Sequence, residues 1–237
     1  MKEKLYTIPV NDAFLEDCEC PLCLMIKTLE TNAIEFTMGP SYMEDDIRAE
    51  TDKAGFCNHH IRVLYENQNR LGLALILKTH MDKTIQHLES LSSNKVKTSG
   101  SLFKRKQETS TIASYTKKLE NSCYICDKIN TTFERYIATI FSLYQNDDQF
   151  RSKFSNPKGF CTSHYGLLYE EAYKYLNGNL LERFIKELND LYFYNMKRVK
   201  DDLEWFIDKF DYRNTNEPWK NSKDALPRTI TKTNSIL

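Results

Sequence analysis

Apolar residues recur at three- and four-residue steps through most of the chain. Leu22, Met25, Ile26, Leu29, Ala33 and Phe36 form one stripe, and Ala74, Leu77, Met81, Ile85 and Leu88 another. Ile129, Phe133, Tyr136, Ile137 and Ile140 form a third. The longest runs through Leu181, Phe184, Leu188, Leu191, Asn195, Val199, Leu203, Phe206 and Phe210. This is the helical period. No stretch alternates as a half-buried strand does, so the expected class is all-α.

Local signals set several boundaries. Pro21 suits a first helical turn, where its missing N–H costs nothing, and Met38-Gly39-Pro40 ends the helix that follows. Ser41 is placed to cap a short acidic helix, with Glu44 completing a capping box. A helix begins after Cys57, carries Ile61, Leu64 and Tyr65, and breaks near Leu71-Gly72. Another spans Cys161 to Leu176, closed by the turn Asn177-Gly178-Asn179.

The plan is stated twice. Cys20-Pro21-Leu22-Cys23 precedes Gly55-Phe56-Cys57-Asn58-His59-His60. Cys123-Tyr124-Ile125-Cys126 likewise precedes Gly159-Phe160-Cys161-Thr162-Ser163-His164. Cys23 to Cys57 is 34 positions and Cys126 to Cys161 is 35, and the offset between halves drifts from 103 at the Cys pairs to 104 at the Cys–His pairs. An internal duplication produces this pattern. It predicts a first repeat over 1–91, a linker over 92–118, a second repeat over 119–211 and a tail over 212–237. The linker is rich in Ser, Thr and Lys and lacks apolar periodicity. It holds Lys95, Lys97, Lys104, Arg105, Lys106, Lys117 and Lys118 against Glu108. In the tail, Trp219 between Pro218 and Pro227 fits either a strap packed on the body or a disordered end.

Each half offers three thiols and one imidazole, a Cys3His ligand set: Cys20, Cys23, Cys57 and His60, then Cys123, Cys126, Cys161 and His164. Two Cys three apart share a helix face, and a second pair from another helix start closes a tetrahedron. That donor set suits zinc, two ions per chain; an iron–sulfur cluster is the less favoured alternative. Helix N-termini favour thiolate, and Gly55 and Gly159 are expected to let backbone approach the sulfurs. Four protein ligands fill zinc's coordination, whereas catalytic zinc keeps a position open. The metal is therefore expected to staple helix ends. Cys18 and His59 occur only in the first half, where they are expected to be incidental, with alternate ligands or a redox pair as the sharper reading.

Composition narrows the classes. Lys plus Arg and Asp plus Glu are 33 each in 237 residues, so no net field draws nucleic acid or membrane. Two filled Cys3His sites would each add −3 + 2 = −1, giving about −2. The N-terminal segment lacks a signal-peptide core and no run is long enough to span a membrane. A cytoplasmic setting is expected, where paired Cys more often bind metal than form disulfides. No βαβ pattern accompanies the Cys-x2-Cys pairs, which disfavours a thioredoxin-like role. No phosphate loop, Ser-His-Asp order or carboxylate pair stands out.

The duplicated Cys-x2-Cys with Gly-Phe-Cys-x2-His resembles an uncharacterised bacterial domain-of-unknown-function family. The resemblance implies the four ligands in each half and a cytosolic setting, and it implies no activity. Three functions stay open at this level: a non-enzymatic two-zinc scaffold that binds another macromolecule, expected to be protein; a thiol-based redox sensor that releases zinc on oxidation; and an enzyme with a non-metal pocket between the repeats.

Overall fold

The computed structural model of the chain describes residues 6–93 and 111–236. Among these residues lie eleven α-helices and no strand, as the apolar period required. The first repeat supplies α2 (Pro21–Met38), α3 (Asp45–Ala54), α4 (Asn58–Glu66) and α5 (Arg70–Ser92). The second supplies α7 (Tyr124–Asn146), α8 (Asp148–Phe154), α9 (Thr162–Tyr175) and α10 (Gly178–Asp208) in the same order. Before, between and after them stand α1 (Thr7–Leu15), α6 (Thr111–Glu120) and α11 (Ala225–Asn234).

The chain forms two compact units that differ from the sequential halves. One is Glu30–Thr131; the other joins Met1–Leu29 to Thr132–Leu237. The chain passes from one unit to the other within α2 and returns within α7.

The unit built from the two chain ends has a large aromatic core. Phe14 of α1 meets Phe150 edge-on at 5.1 Å and stacks on Phe154 at 5.7 Å. Phe184 of α10 meets Tyr144 at 4.9 Å and Phe154 at 5.0 Å. Six of these side chains (Phe141, Tyr144, Phe150, Phe154, Phe160 and Phe184) are wholly buried, and such burial dominates core energetics. Helix α1 was not legible as a helix because only Val10, Ala13 and Phe14 face inward, too short a stripe to show a period. Asp147 caps α8, its carboxylate accepting from the N–H groups of Gln149 and Phe150.

In the unit of residues 30–131, α3 packs along α5, and the Arg48 guanidinium donates to Leu75 O at 3.3 Å. The break before α5 falls at residues 67–69 rather than at Leu71-Gly72. Asn69 caps the helix, accepting from Gly72 N and donating to Met38 O.

Two expectations change, and the tail takes one of its two expected forms. The capping box does not form: Pro40 opens a 3-10 turn over Pro40–Met43 that draws in Ser41, whose hydroxyl donates to Phe36 O, and Glu44 takes the N-cap position of α3. The expected linker is helical from Thr111, where Tyr115 lies against His87 of α5 with ring centroids 4.3 Å apart; residues 94–110 lie outside the described residues. The tail is a strap. Trp219 packs on Phe206, and α11 lies on α9 and α10.

Candidate metal centres

All four ligand pairs occupy the same local position. The carbonyls of Cys20, Cys57, Cys123 and Cys161 accept the first i→i−4 hydrogen bond of their helices, from the N–H groups of Leu24, Ile61, Asp127 and Tyr165. Each first cysteine is therefore an N-cap residue, and its partner three positions later lies on the same face one turn in. Every pair thus sits where unpaired N–H groups and the helix dipole favour negative sulfur.

The pairs close across the repeats. Cys20, Cys23, Cys161 and His164 form one group; Cys57, His60, Cys123 and Cys126 form the other. The sets expected within each half, Cys20 and Cys23 with Cys57 and His60, and Cys123 and Cys126 with Cys161 and His164, are exchanged. Spacing alone leaves both closures open, and the packing of each compact unit selects this one: Cys20, Cys23, Cys161 and His164 all belong to the unit of the two chain ends, and Cys57, His60, Cys123 and Cys126 to the unit of residues 30–131.

In the first group, His164 Nδ1 lies 3.4, 3.3 and 3.1 Å from the sulfurs of Cys20, Cys23 and Cys161, and the Cys23 and Cys161 sulfurs are 3.6 Å apart. In the second, His60 Nδ1 lies 3.2, 3.3 and 3.3 Å from Cys57, Cys123 and Cys126, with the Cys57 and Cys126 sulfurs 3.9 Å apart. Each group could hold a metal ion.

The glycines before the Cys–His pairs act differently from expectation. Gly55 and Gly159 have φ of 61° and 82°, which disfavours L side chains. A Cβ on Gly55 would strike the His80 ring at 2.8 Å, and one on Gly159 would meet Leu191 O at 3.0 Å. The close approach is to neighbouring helices, not to sulfur. In the second group this turn also joins the two arms, because Tyr124 N donates to Gly55 O and Ser122 Oγ to Ala54 O.

Several of these side chains are held away from their ordinary titration range by burial and by one another. Hydrogen bonds with Cys20 and Cys23 hold the Cys161 thiol far below the usual thiol range, and the bond with Cys161 pushes Cys23 far above it. Burial, then the charge of Cys123, pushes Cys126 up to about 12. Burial pulls His164 down, but bonds with Cys161 and Cys20 outweigh it and raise it to about 9.

Residues near the groups divide. Cys18 joins neither, and burial raises its thiol to about 11. His59 is exposed, its Nε2 2.7 Å from Glu30 Oε1; the same oxygen is 3.2 Å from His60 Nε2. Sequence reasoning missed Glu30, which reads as one polar position on α2. At the 103-residue offset stands Phe133, whose ring lies 5.7 Å from that of His164. Also missed were Lys232 and Ser235 of the strap. Ser235 Oγ is 3.1 Å from Cys161 Sγ. Lys232 Nζ donates to Glu19 O at 2.6 Å and is 3.1 Å from Glu19 Oε2.

A cavity of about 730 Å³ lies between α10 and the strap, lined in part by Arg198, Asp202, Asp224 and Arg228. Arg228 pairs with Asp202 and Asp224, and Arg198 with Glu19. The Arg228–Asp202 pair ties the strap to α10.

By class this is an all-helical protein that gathers two Cys3His groups at helix N-termini, each of which could hold a metal ion. No described helix is long and apolar enough to cross a membrane. Residues 1–237 match a family of unknown function (DUF6062), and the chain belongs to that family. No curated protein and no solved structure matches the chain.

Proposed function

We propose that the chain is a cytoplasmic, non-enzymatic scaffold held by two zinc ions, which presents its helical surface to another protein. One observation carries the zinc assignment. Ligands at about 2.3 Å for sulfur and 2.05 Å for nitrogen in a tetrahedron span edges of about 3.8 Å for S···S and 3.6 Å for S···N. One S···S separation in each group is 3.6 and 3.9 Å, and S···N run from 3.1 to 3.4 Å. Shifts of a few tenths of an ångström, mostly a slight opening of the S···N edges, bring these separations to those of a zinc tetrahedron.

Four protein donors leave no coordination position for substrate, which favours a structural role over Lewis-acid chemistry. Exposed Tyr194, Phe210 and Tyr212, at 71%, 75% and 85% accessibility, suit a protein partner. The balanced charge gives no field for nucleic acid.

Metal analysis and absorbance of anaerobically purified protein test the assignment. Two zinc per chain and a colourless solution are expected, and a strong chelator should abolish the helical circular dichroism. A brown, iron-containing protein overturns zinc, and full helicity after complete metal loss overturns the structural role.

A further inference from the structure

The two centres share a ligand set but not their surroundings. In the Cys20 centre all four ligands are buried. The C-terminal strap roofs it: Ser235 Oγ reaches Cys161 Sγ, and Thr162 Oγ1 donates to Lys232 O. Behind His164 lies the apolar ring of Phe133.

In the other centre, Cys123 and His60 are buried but Cys57 and Cys126 are partly open to solvent. Behind His60, Glu30 Oε1 and the Nε2 atoms of His59 and His60 converge within 4.8 Å of one another. Two imidazoles and a carboxylate are donors that first-row divalent ions accept. His60 thus faces three thiols through Nδ1 and an outer donor pair through Nε2. At the corresponding offsets the other centre has Phe133 and Ser163, neither an imidazole nor a carboxylate.

We propose that the Cys57–His60–Cys123–Cys126 centre is an exchange site, through which the chain takes up and surrenders a divalent transition-metal ion, while the Cys20 centre keeps its own. The proposal rests on the two-zinc assignment above. Exchange at a filled thiolate site is substitution. An entering donor bonds to the metal, a metal–sulfur bond breaks, and the freed thiolate takes a proton from water; no electron is transferred. Only a solvent-facing sulfur can be displaced this way, and Cys57 and Cys126 are the two that qualify. Glu30 and His59 hold the ion in passage beside His60.

The test uses the full chain with two zinc ions verified by metal analysis. EDTA is added, zinc release is followed in time, and at one equivalent released the free thiols are alkylated with iodoacetamide and mapped. Two phases of equal amplitude are expected, the first at least tenfold faster. Label should fall on Cys57, Cys123 and Cys126 and spare Cys20, Cys23 and Cys161. In His59→Ala the fast phase should slow severalfold while the slow phase holds. A single phase, or label first on Cys20, Cys23 or Cys161, overturns the exchange site, and an unslowed fast phase in His59→Ala overturns the part given to the outer donors. A chain that carries fewer than two zinc ions before EDTA is added overturns the zinc assignment itself, and this inference with it.

Discussion

The sulfurs of Cys23 and Cys161 lie 3.6 Å apart although 138 residues separate them. Cys57 and Cys126 stand in the same relation at 3.9 Å. Mild oxidation that strips the metal should therefore yield cross-segment disulfides joining Cys20 or Cys23 to Cys161, and Cys57 to Cys123 or Cys126. Peptide mapping reads this out. A linkage of Cys57 to Cys20 or Cys23 would show the ligand sets closing within each repeat instead.

Two glycines make an opposed pair. Gly159→Ala forces a side chain onto φ of 82° and against Leu191 O at 3.0 Å; a loss of about 2 kcal/mol is expected from such strain. Gly166→Ala, in mid-α9 with nothing within 4 Å of the added Cβ, should stabilise by about 0.5–1 kcal/mol through helix propensity. Denaturant unfolding of the zinc-loaded protein measures both, and equal effects would contradict the geometry.

Lys232 is 1% exposed in its side chain and faces Glu19 at 8%. Removing one partner of a buried pair costs about 3–5 kcal/mol when it leaves the other charge unpaired. Glu19 keeps Arg198 as a second partner at 2.6 Å, so Lys232→Met should lose less, about 1.5–3 kcal/mol, through its lost hydrogen bonds to Glu19 O and Lys158 O. If Lys232→Met unfolds like the parent chain, the strap is not anchored there.

Loading with metal should depend on pH in a definite sense. In the ion-free group His164 titrates near 9, because its bonds with Cys161 and Cys20 outweigh burial. Raised above its ordinary 6.5, it favours the protonated form, which contributes stability below about 6.5 that is lost as pH rises through about 9. At pH 7 an incoming ion must displace that proton. Affinity of the Cys20 centre should climb with pH up to about 9, with protons released on loading. Calorimetry in buffers of different ionisation enthalpy counts them, and zero release at pH 7 would refute the proton sharing.

Much of this was visible in the chain itself. The repeated order of helices follows from apolar periods at Leu22–Phe36 and Ile129–Ile140, because a helix that buries one face must repeat every 3.6 residues. The eight candidate ligands, which the structure gathers into two groups of four, follow from spacing, because Cys and His three apart share a face wherever a helix begins. Glu30 was hidden, since a single carboxylate on a helix reads as solvated until its neighbour is known. Lys232 and Ser235 were hidden too, in a tail whose breakers allowed order or disorder alike.

What sequence alone determined is therefore local: an all-helical chain, a duplicated plan, and four pairs of metal-type ligands, each at a helix N-terminus. Tertiary structure decided which pair meets which. The intervals of 34 and 35 residues permit closure within a repeat or across repeats, and local signals cannot tell these apart. Packing can, because within each compact unit it sets Cys20 and Cys23 beside Cys161 and His164, and Cys57 and His60 beside Cys123 and Cys126. The same packing placed a roof over Cys161 and left Cys57 and Cys126 open, so that two equal ligand sets became two different centres.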